Sequence, residues 1–343
     1  MRIILVGYGV VGQCLTRIFI NRSLELSSLY GFRPKVVAVV DRGGAAVNPR
    51  GLELERVLLV KRERGTVAAE SSFGKPEMSA FDVIDSVEAE AFVEVSPTNV
   101  RDGEPGLSHI KSAFKYGLHV VTSNKGPLAL ALPVLTELAE HNNVYFRFSG
   151  SVGAGTPVLE FAKRCLFGDR ILSVRGVLNG TTNFILTEMA ERHSTFEQAL
   201  ERAKMLGYAE ADPSMDIDGV DTACKLVIIA NWVMGRKVTL KDVKIKGIRD
   251  VTVKNIEEAF KEESTIKLLG TIGEGLEVKP TWVSRKDPLC VSGTLNAVTF
   301  FSEFAGEQTI IGRGAGGVET ASAILRDLLE IKERLAAKAW LEV

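Results

Sequence analysis

A short apolar run from Arg2 to Val6 closes on Gly-Tyr-Gly-Val-Val-Gly, and Val10, Val11, Leu15, Ile18 and Phe19 then recur at helical spacing. Strand, glycine turn and helix in that order predict an α/β layer with a parallel sheet, since this context raises GxGxxG from a weak pattern to a dinucleotide fingerprint. Gly7 permits the tight turn, Gly9 lets the backbone approach a pyrophosphate, and Gly12 lets helix and strand pack closely. The helix N-terminus adds unpaired N–H groups for the phosphate, and Tyr8, Val10 and Val11 complete the turn as candidate contacts. The bland alternative is a tight turn in an α/β domain that holds no cofactor.

The second strand, Lys35 to Val40, ends at Asp41. A carboxylate at that strand tip can accept both ribose hydroxyls of NAD and would repel the 2′-phosphate of NADP. Arg42 follows at once and Lys61, Arg62 and Arg64 lie further on, so the sequence leaves NAD and NADP both open. Ala91 to Val95 reads as a strand whose tip, Ser96 to Asn99, suits a loop beside the nicotinamide or its ribose. His119 to Thr122 is another strand, with Ser123, Asn124 and Lys125 at its tip. A lysine there faces the ligand crevice of such a sheet; otherwise it is a surface lysine in a turn. Val144 to Phe148 ends the repeat, which predicts a first domain over residues 1–148.

The composition then shifts to Ser-Gly-Ser-Val-Gly-Ala-Gly-Thr-Pro. Its carbonyl groups can turn inward on an alkali-metal ion, or the stretch can be a hinge or a plain linker. A second, α+β domain is expected over 149–305. In it a strand ending at Gly180 enters a helix beginning Thr-Thr-Asn, where Thr181, Thr182 and Asn183 offer hydroxyl, amide and backbone donors to an anion. Polar turns at Gly-Glu-Gly and Lys-Pro-Thr are expected to divide its later strands. Residues 306–343 read as a strand, a glycine turn and a long helix, with Gly312, Gly314, Gly316 and Gly317 able to touch cofactor or the first domain.

Between Gly207 and Lys225, Glu210, Asp212, Asp216, Asp218 and Asp221 crowd into a dozen residues ahead of an apolar helix. Carboxylates so close repel one another, so they stay at a solvated face, bind a cation or grip a positively charged substrate group. With Lys225 mounted on the helix, such a loop can hold an ammonium and move a proton. The plainer reading is an acidic surface turn before a core helix that starts with an exposed lysine.

A net charge of -1 gives no electrostatic reason to bind nucleic acid or an anionic membrane, and no run is long enough to span one. Cys14, Cys165, Cys224 and Cys290 are far apart and read as buried free thiols in a reducing compartment, which predicts a cytoplasmic protein.

These residues resemble the homoserine dehydrogenases. The resemblance spans nearly the whole chain, through GYGVVG, SNKGPLA, SVGAGTP, GVLNGTTNFIL, GYAEADPSMDIDGVD with its lysine, and GRGAGGVETASAIL. It is similar to the short form, without a fused aspartate kinase or a C-terminal amino-acid-sensing domain. It implies reversible NAD(P)H-dependent reduction of L-aspartate 4-semialdehyde to L-homoserine, on the way to threonine, methionine and isoleucine. It implies that Glu210 grips the substrate, that Asp216 and Asp221 flank the site, and that Lys125 and Lys225 are its paired lysines. Cofactor contacts fall on Gly7 to Gly12, Ser96, Thr98 and Gly316, and a structural sodium ion on carbonyl groups of Val152, Ala154 and Thr156. Some members add a glutamate where this chain has Ser149, and relatives can carry an acidic residue in place of Met215. The family also implies a homodimer joined through sheets of the second domain. The alternatives are a related dehydrogenase of another small amino-acid carbonyl compound, and a non-catalytic dinucleotide-binding module.

Overall fold

The computed structural model describes the backbone of residues 1–341 and the side chains of residues 1–338. The chain divides into two compact units, one of residues 1–151 with the segment from Gly316 onward, the other Val152–Ala315. The strands are β1 (Arg2–Val6), β2 (Lys35–Asp41), β3 (Gly44–Val47), β4 (Gly74–Pro76), β5 (Ala91–Glu94), β6 (His119–Thr122) and β7 (Phe146–Arg147) in the first unit. In the second they are β8 (Ile171–Val177), β9 (Val243–Ile245), β10 (Ser264–Ile272), β11 (Leu276–Ser284), β12 (Leu295–Ser302) and β13 (Gly306–Arg313). The helices of the first unit are α1 (Val10–Asn21), α2 (Ser23–Tyr30), α3 (Leu54–Arg64), α4 (Ala80–Ser86), α5 (Gly106–Lys115) and α6 (Lys125–His141). Those of the second are α7 (Val158–Glu160), α8 (Gly180–Arg192), α9 (Phe196–Met205), α10 (Ser214–Ile217), α11 (Val220–Trp232) and α12 (Val253–Lys261), and α13 (Gly317–Leu341) returns to the first.

The first sheet runs β4-β3-β2-β1-β5-β6-β7, parallel from β2 to β7 and antiparallel at the β3 and β4 edge. Its inner strands, buried on both faces, are runs of Val, Ile, Ala and Phe, the composition a doubly covered parallel sheet requires. From β1 the chain passes to β2 on one side and later to β5 on the other, so a crevice opens between the carboxyl ends of β1 and β5. A Cβ on Gly7, whose φ is +98°, would collide with the backbone of Val95 and Ser96, and one on Gly12 would collide with the Gly7 carbonyl. Both glycines therefore serve close approach.

The second sheet runs β13-β12-β8-β10-β11-β9 and is antiparallel except between β11 and β9. Three expectations change. Lys279-Pro280-Thr281 is not a turn but the middle of β11, with Pro280 opposite Leu268. Because β9 pairs with β11 only from Leu276 to Val278, β11 is an edge at Pro280, where a missing N–H is tolerated. The return to the first unit begins at Gly316 rather than at residue 306, since β13 pairs along its whole length with β12. Cys165 is exposed rather than buried, while Cys14 and Cys224 are buried and all four thiols are free.

Candidate functional site

In the first unit the fingerprint leaves Gly9 with nothing within 4 Å of a would-be Cβ, so the turn presents bare backbone at the head of α1. Val10 is exposed and Val11 half-buried. The Tyr8 ring lies in the core, and burial pushes the phenol up to about 12. Only its backbone faces the turn. The start of α13 comes to the same place, where a Cβ on Gly317 would meet Val10 Cγ1 and Cys14 Sγ, with Gly316 just before it at φ +126°.

The Asp41 carboxylate is already engaged by four donors. Oδ1 accepts the Gly43 N–H at 2.9 Å and the Thr66 hydroxyl at 2.7 Å; Oδ2 accepts Lys61 Nζ at 2.7 Å and the Val67 N–H at 3.0 Å. Burial alone would raise its pKa, but these bonds outweigh it and hold the carboxyl below its ordinary value. A carboxylate has about four lone-pair sites, so a ribose reaches Asp41 only by displacing a present partner. Arg42 is exposed.

At the neighbouring strand tips, Ser96 and Ser123 are half-buried and Thr98 is exposed. Lys125, half-buried, is the first residue of α6, whose N-cap Asn124 accepts the Gly126 N–H at 3.1 Å. One residue of this region was not singled out in the sequence. Glu94, the last residue of β5 and fully buried, accepts the Ser96 N–H at 3.1 Å and the Ser96 hydroxyl, and lies 3.2 Å from Thr122 Oγ1.

In the second unit the acidic stretch separates into distinct duties. Asp212 closes a turn onto Ser214, and Asp218 pairs with Arg249. Asp216 and Asp221 share the amide nitrogen of Asn179, at 2.6 and 2.9 Å. Asp221 also meets Lys225 Nζ at 2.7 Å, one helical turn along α11, and that ammonium donates to the Leu178 carbonyl at 2.5 Å. Lys225 is only 6% exposed, so it is not the exposed first lysine of a core helix. The Glu210 carboxylate stands exposed, and no hydrogen bond or ion pair engages it among the described residues.

Asn179 is also the N-cap of α8, accepting the Thr182 N–H at 2.8 Å, so one side chain sets the helix start and both carboxylates. Gly180 passes close to β12: a Cβ there would lie 2.8 Å from the Thr294 carbonyl oxygen. Thr181 donates its hydroxyl to the Tyr208 carbonyl at 2.8 Å, joining α8 to the acidic loop. Deeper along α8, the ammonium of Lys267, 2% exposed, donates to Asn183 Oδ1 at 2.8 Å and the Val291 carbonyl at 2.6 Å. Burial pushes that lysine down to about 8, against the opposing influence of Cys290 and Glu191. Val152, Ala154 and Thr156 form a buried turn with Gly153 and Ala154 at positive φ, and the Thr156 carbonyl accepts the Val158 N–H at 2.8 Å.

Thus a fingerprint turn and strand tips occupy one unit, and a lysine–carboxylate cluster with an exposed glutamate the other. The family described as homoserine dehydrogenase matches residues 157–329. The chain is 47% identical to a homoserine dehydrogenase of Methanocaldococcus jannaschii over 96% of its own length and 98% of the relative's. The chain belongs to the homoserine dehydrogenase family. It is also 38% identical to an NAD(+)-dependent homoserine dehydrogenase of Pseudomonas canavaninivorans, over 98% of this chain and 97% of that one. Among solved structures it is similar to a hyperthermophilic archaeal homoserine dehydrogenase in complex with NADPH, with a TM-score of 0.85 at 30% identity, covering 97% of this chain and 98% of that one. Among the described residues no helix is long and apolar enough to cross a membrane.

Proposed function

We infer that this member of the family interconverts L-aspartate 4-semialdehyde and L-homoserine using NAD(P)H and NAD(P)+. The observation that carries the reading is the buried Lys225–Asp221 pair, bridged by Asn179 to Asp216, in the same unit as the unengaged Glu210. The first unit is the dinucleotide-binding domain, through Gly7, Tyr8, Gly9, Val10, Val11, Gly12, Ser96, Thr98, Ser123, Lys125 and Gly316, with Asp41 and Arg42 setting the choice between NAD and NADP. The backbone turn at the head of α1 fits a pyrophosphate, since it is open and its N–H groups are free of a capping side chain. When bound, the nicotinamide accepts or donates the hydride.

The second unit, in this reading, holds the amino acid. Glu210 grips the ammonium, while the backbone N–H groups of Gly180 and Thr181 at the start of α8 receive the carboxylate. Lys225 gives a proton to the carbonyl oxygen in reduction and takes it from the hydroxyl in oxidation. Asp221 keeps the Lys225 amine oriented and compensates its charge, and Asp216 is held beside it by Asn179. Lys125, in the first unit, is the second cationic residue of this reading. The neutral carbonyl groups of Val152, Ala154 and Thr156 suit an alkali ion, for which the Thr156 carbonyl keeps one lone pair. The edge strand β13, with Ile311 exposed and Phe301 on the neighbouring strand, fits a homodimer joined through this sheet, and the free thiols fit a cytoplasmic location.

The test is NAD(P)H oxidation with aspartate semialdehyde beside a small panel of other amino-acid carbonyl compounds. Preferred turnover of the semialdehyde is expected. Preference for another carbonyl would replace it with a related dehydrogenase, and tight cofactor binding without any turnover would leave a binding module.

A further inference from the structure

We propose that Glu94 is a positioning residue for the dinucleotide site, fixing Ser96 directly and the start of the Lys125 helix through Thr122 and Asn124. The proposal rests on the reading of Ser96 and Lys125 as site residues. It deepens that reading by naming what holds them in place.

Every residue of β5 is buried, and Ala91, Phe92 and Val93 are apolar, so Glu94 is the point where the strand passes from core to crevice. It has no exposure, and among the described residues neither lysine nor arginine pairs with it; the nearest basic group is His109 Nδ1, 4.0 Å from Oε1. Burying a carboxylate on such terms costs stability relative to an apolar side chain of similar size. What Glu94 does instead is accept. Oε1 takes both the N–H and the hydroxyl of Ser96, two residues on, and so curls the loop after β5 back over the strand end.

The second link runs across the sheet. Thr122, the last residue of β6, donates its hydroxyl to the Glu94 carbonyl at 2.8 Å and lies 3.2 Å from Oε2. The same hydroxyl accepts the Asn124 N–H at 3.0 Å, and Asn124 caps α6, whose first residue is Lys125. Asn124 Nδ2 then turns back to Ser96 Oγ at 3.5 Å and the Pro97 carbonyl at 3.4 Å, closing the loop of contacts. Space around the hub is tight, for a Cβ on Gly106 would come within 2.7 Å of Asn124 Nδ2 and 3.2 Å of Glu94 Oε2. The loops after two adjacent strands are thus tied to one carboxylate. A strand staple alone would need only the Thr122 bond to the backbone carbonyl.

The full chain is tested as Glu94→Leu, Glu94→Gln and Thr122→Val, with Val93→Ala as a destabilised control, by NADPH fluorescence titration, turnover and thermal unfolding. Leucine keeps the volume but no acceptor, and NADPH should bind about ten-fold or more weakly, as misplaced binding groups do. Glutamine keeps an acceptor for Ser96 and should restore affinity to within about three-fold of wild type. Thr122→Val should lower turnover by about five-fold or more and weaken NADPH binding less than Glu94→Leu does, because it loosens the Lys125 helix and leaves Ser96 held. Wild-type NADPH affinity in Glu94→Leu, equal losses in Gln and Leu, or an equal loss in Val93→Ala at matched unfolding temperature would overturn the proposal. Should Glu94→Leu not fold, Thr122→Val decides, and unchanged turnover there would overturn it. Because NADPH affinity is read without substrate, a wild type inactive on aspartate semialdehyde would sink the proposed function and still leave this contrast readable.

Discussion

Each unit buries a charged group among neutral partners, an anion in the first and a cation in the second. The first hides an anion, Glu94, among neutral donors, whereas the second hides two cations, Lys225 and Lys267. Lys225 has Asp221 as counter-ion, but Lys267 is met by neutral acceptors from Asn183 and Val291. Neither Glu94 nor Lys267 is placed as a core would place it for stability alone. Buried groups of this kind mark where geometry has to be held. The two regions should therefore respond separately, with substitutions in one moving dinucleotide affinity and those in the other moving homoserine kinetics.

The largest expected effect tests the second unit. Lys225→Met keeps most of the volume and removes the charge, so turnover should fall by ~10²- to 10⁴-fold with NADPH affinity intact. Lys225→Arg should be similarly impaired, because a guanidinium stays protonated. Near-normal turnover in either variant, with folding verified by circular dichroism, would remove Lys225 from the chemistry. Glu210→Gln comes next: losing a charged hydrogen bond to the ammonium should raise KM for homoserine by roughly 10- to 100-fold and leave NAD(P) affinity unchanged. An equal loss of both would break the division between the units.

In the first unit the effect is smaller. Asp41→Gly should shift the ratio of catalytic efficiencies toward NADP by roughly five-fold, since it removes a carboxylate and releases Lys61 from it. An unchanged ratio would show that the Asp41 carboxylate does not act on the ribose end.

The smallest effect is in stability. Lys267 titrates near 8 when folded and near 10.5 otherwise, so below about pH 8 it is charged in both states and its burial cost is present in full. Between pH 8 and 10.5 the unfolded chain binds more protons, and the stability of wild type relative to Lys267→Met should rise with pH. Urea unfolding at pH 7.5, 9 and 10 reads this, and a constant difference would contradict the shifted lysine.

Legibility followed sequence distance. Gly7 to Gly12 act within one turn, and the order of strand, turn and helix was plain. Asp41 was recognisable as a strand tip, but Lys61 and Thr66, which occupy it, come from a helix end and a loop some twenty residues on. Asn179 has the character of an N-cap, yet its partners Asp216 and Asp221 lie 37 and 42 positions away, and no local pattern pairs them. Glu94 was hidden by its neighbours, because a single acid at the end of an apolar strand reads as the strand leaving the core. Pro280 misled for the reverse reason: a turn signal is a strand residue wherever the strand has a free edge.

Helix α13 supplies Ala321, Ile324, Leu325, Leu328 and Ile331 to the core of the first unit, after the whole of the second unit has been laid down in sequence. Order of synthesis and order of completion therefore differ. On a translating ribosome the later-encoded unit has all its strands before the earlier one can close its core, so the first unit must wait, open along one side, for its last helix. A nonsense change at any position from Gly316 to Ala321 would spare the complete second unit and leave the first with exposed apolar surface for chaperones and proteases to recognise.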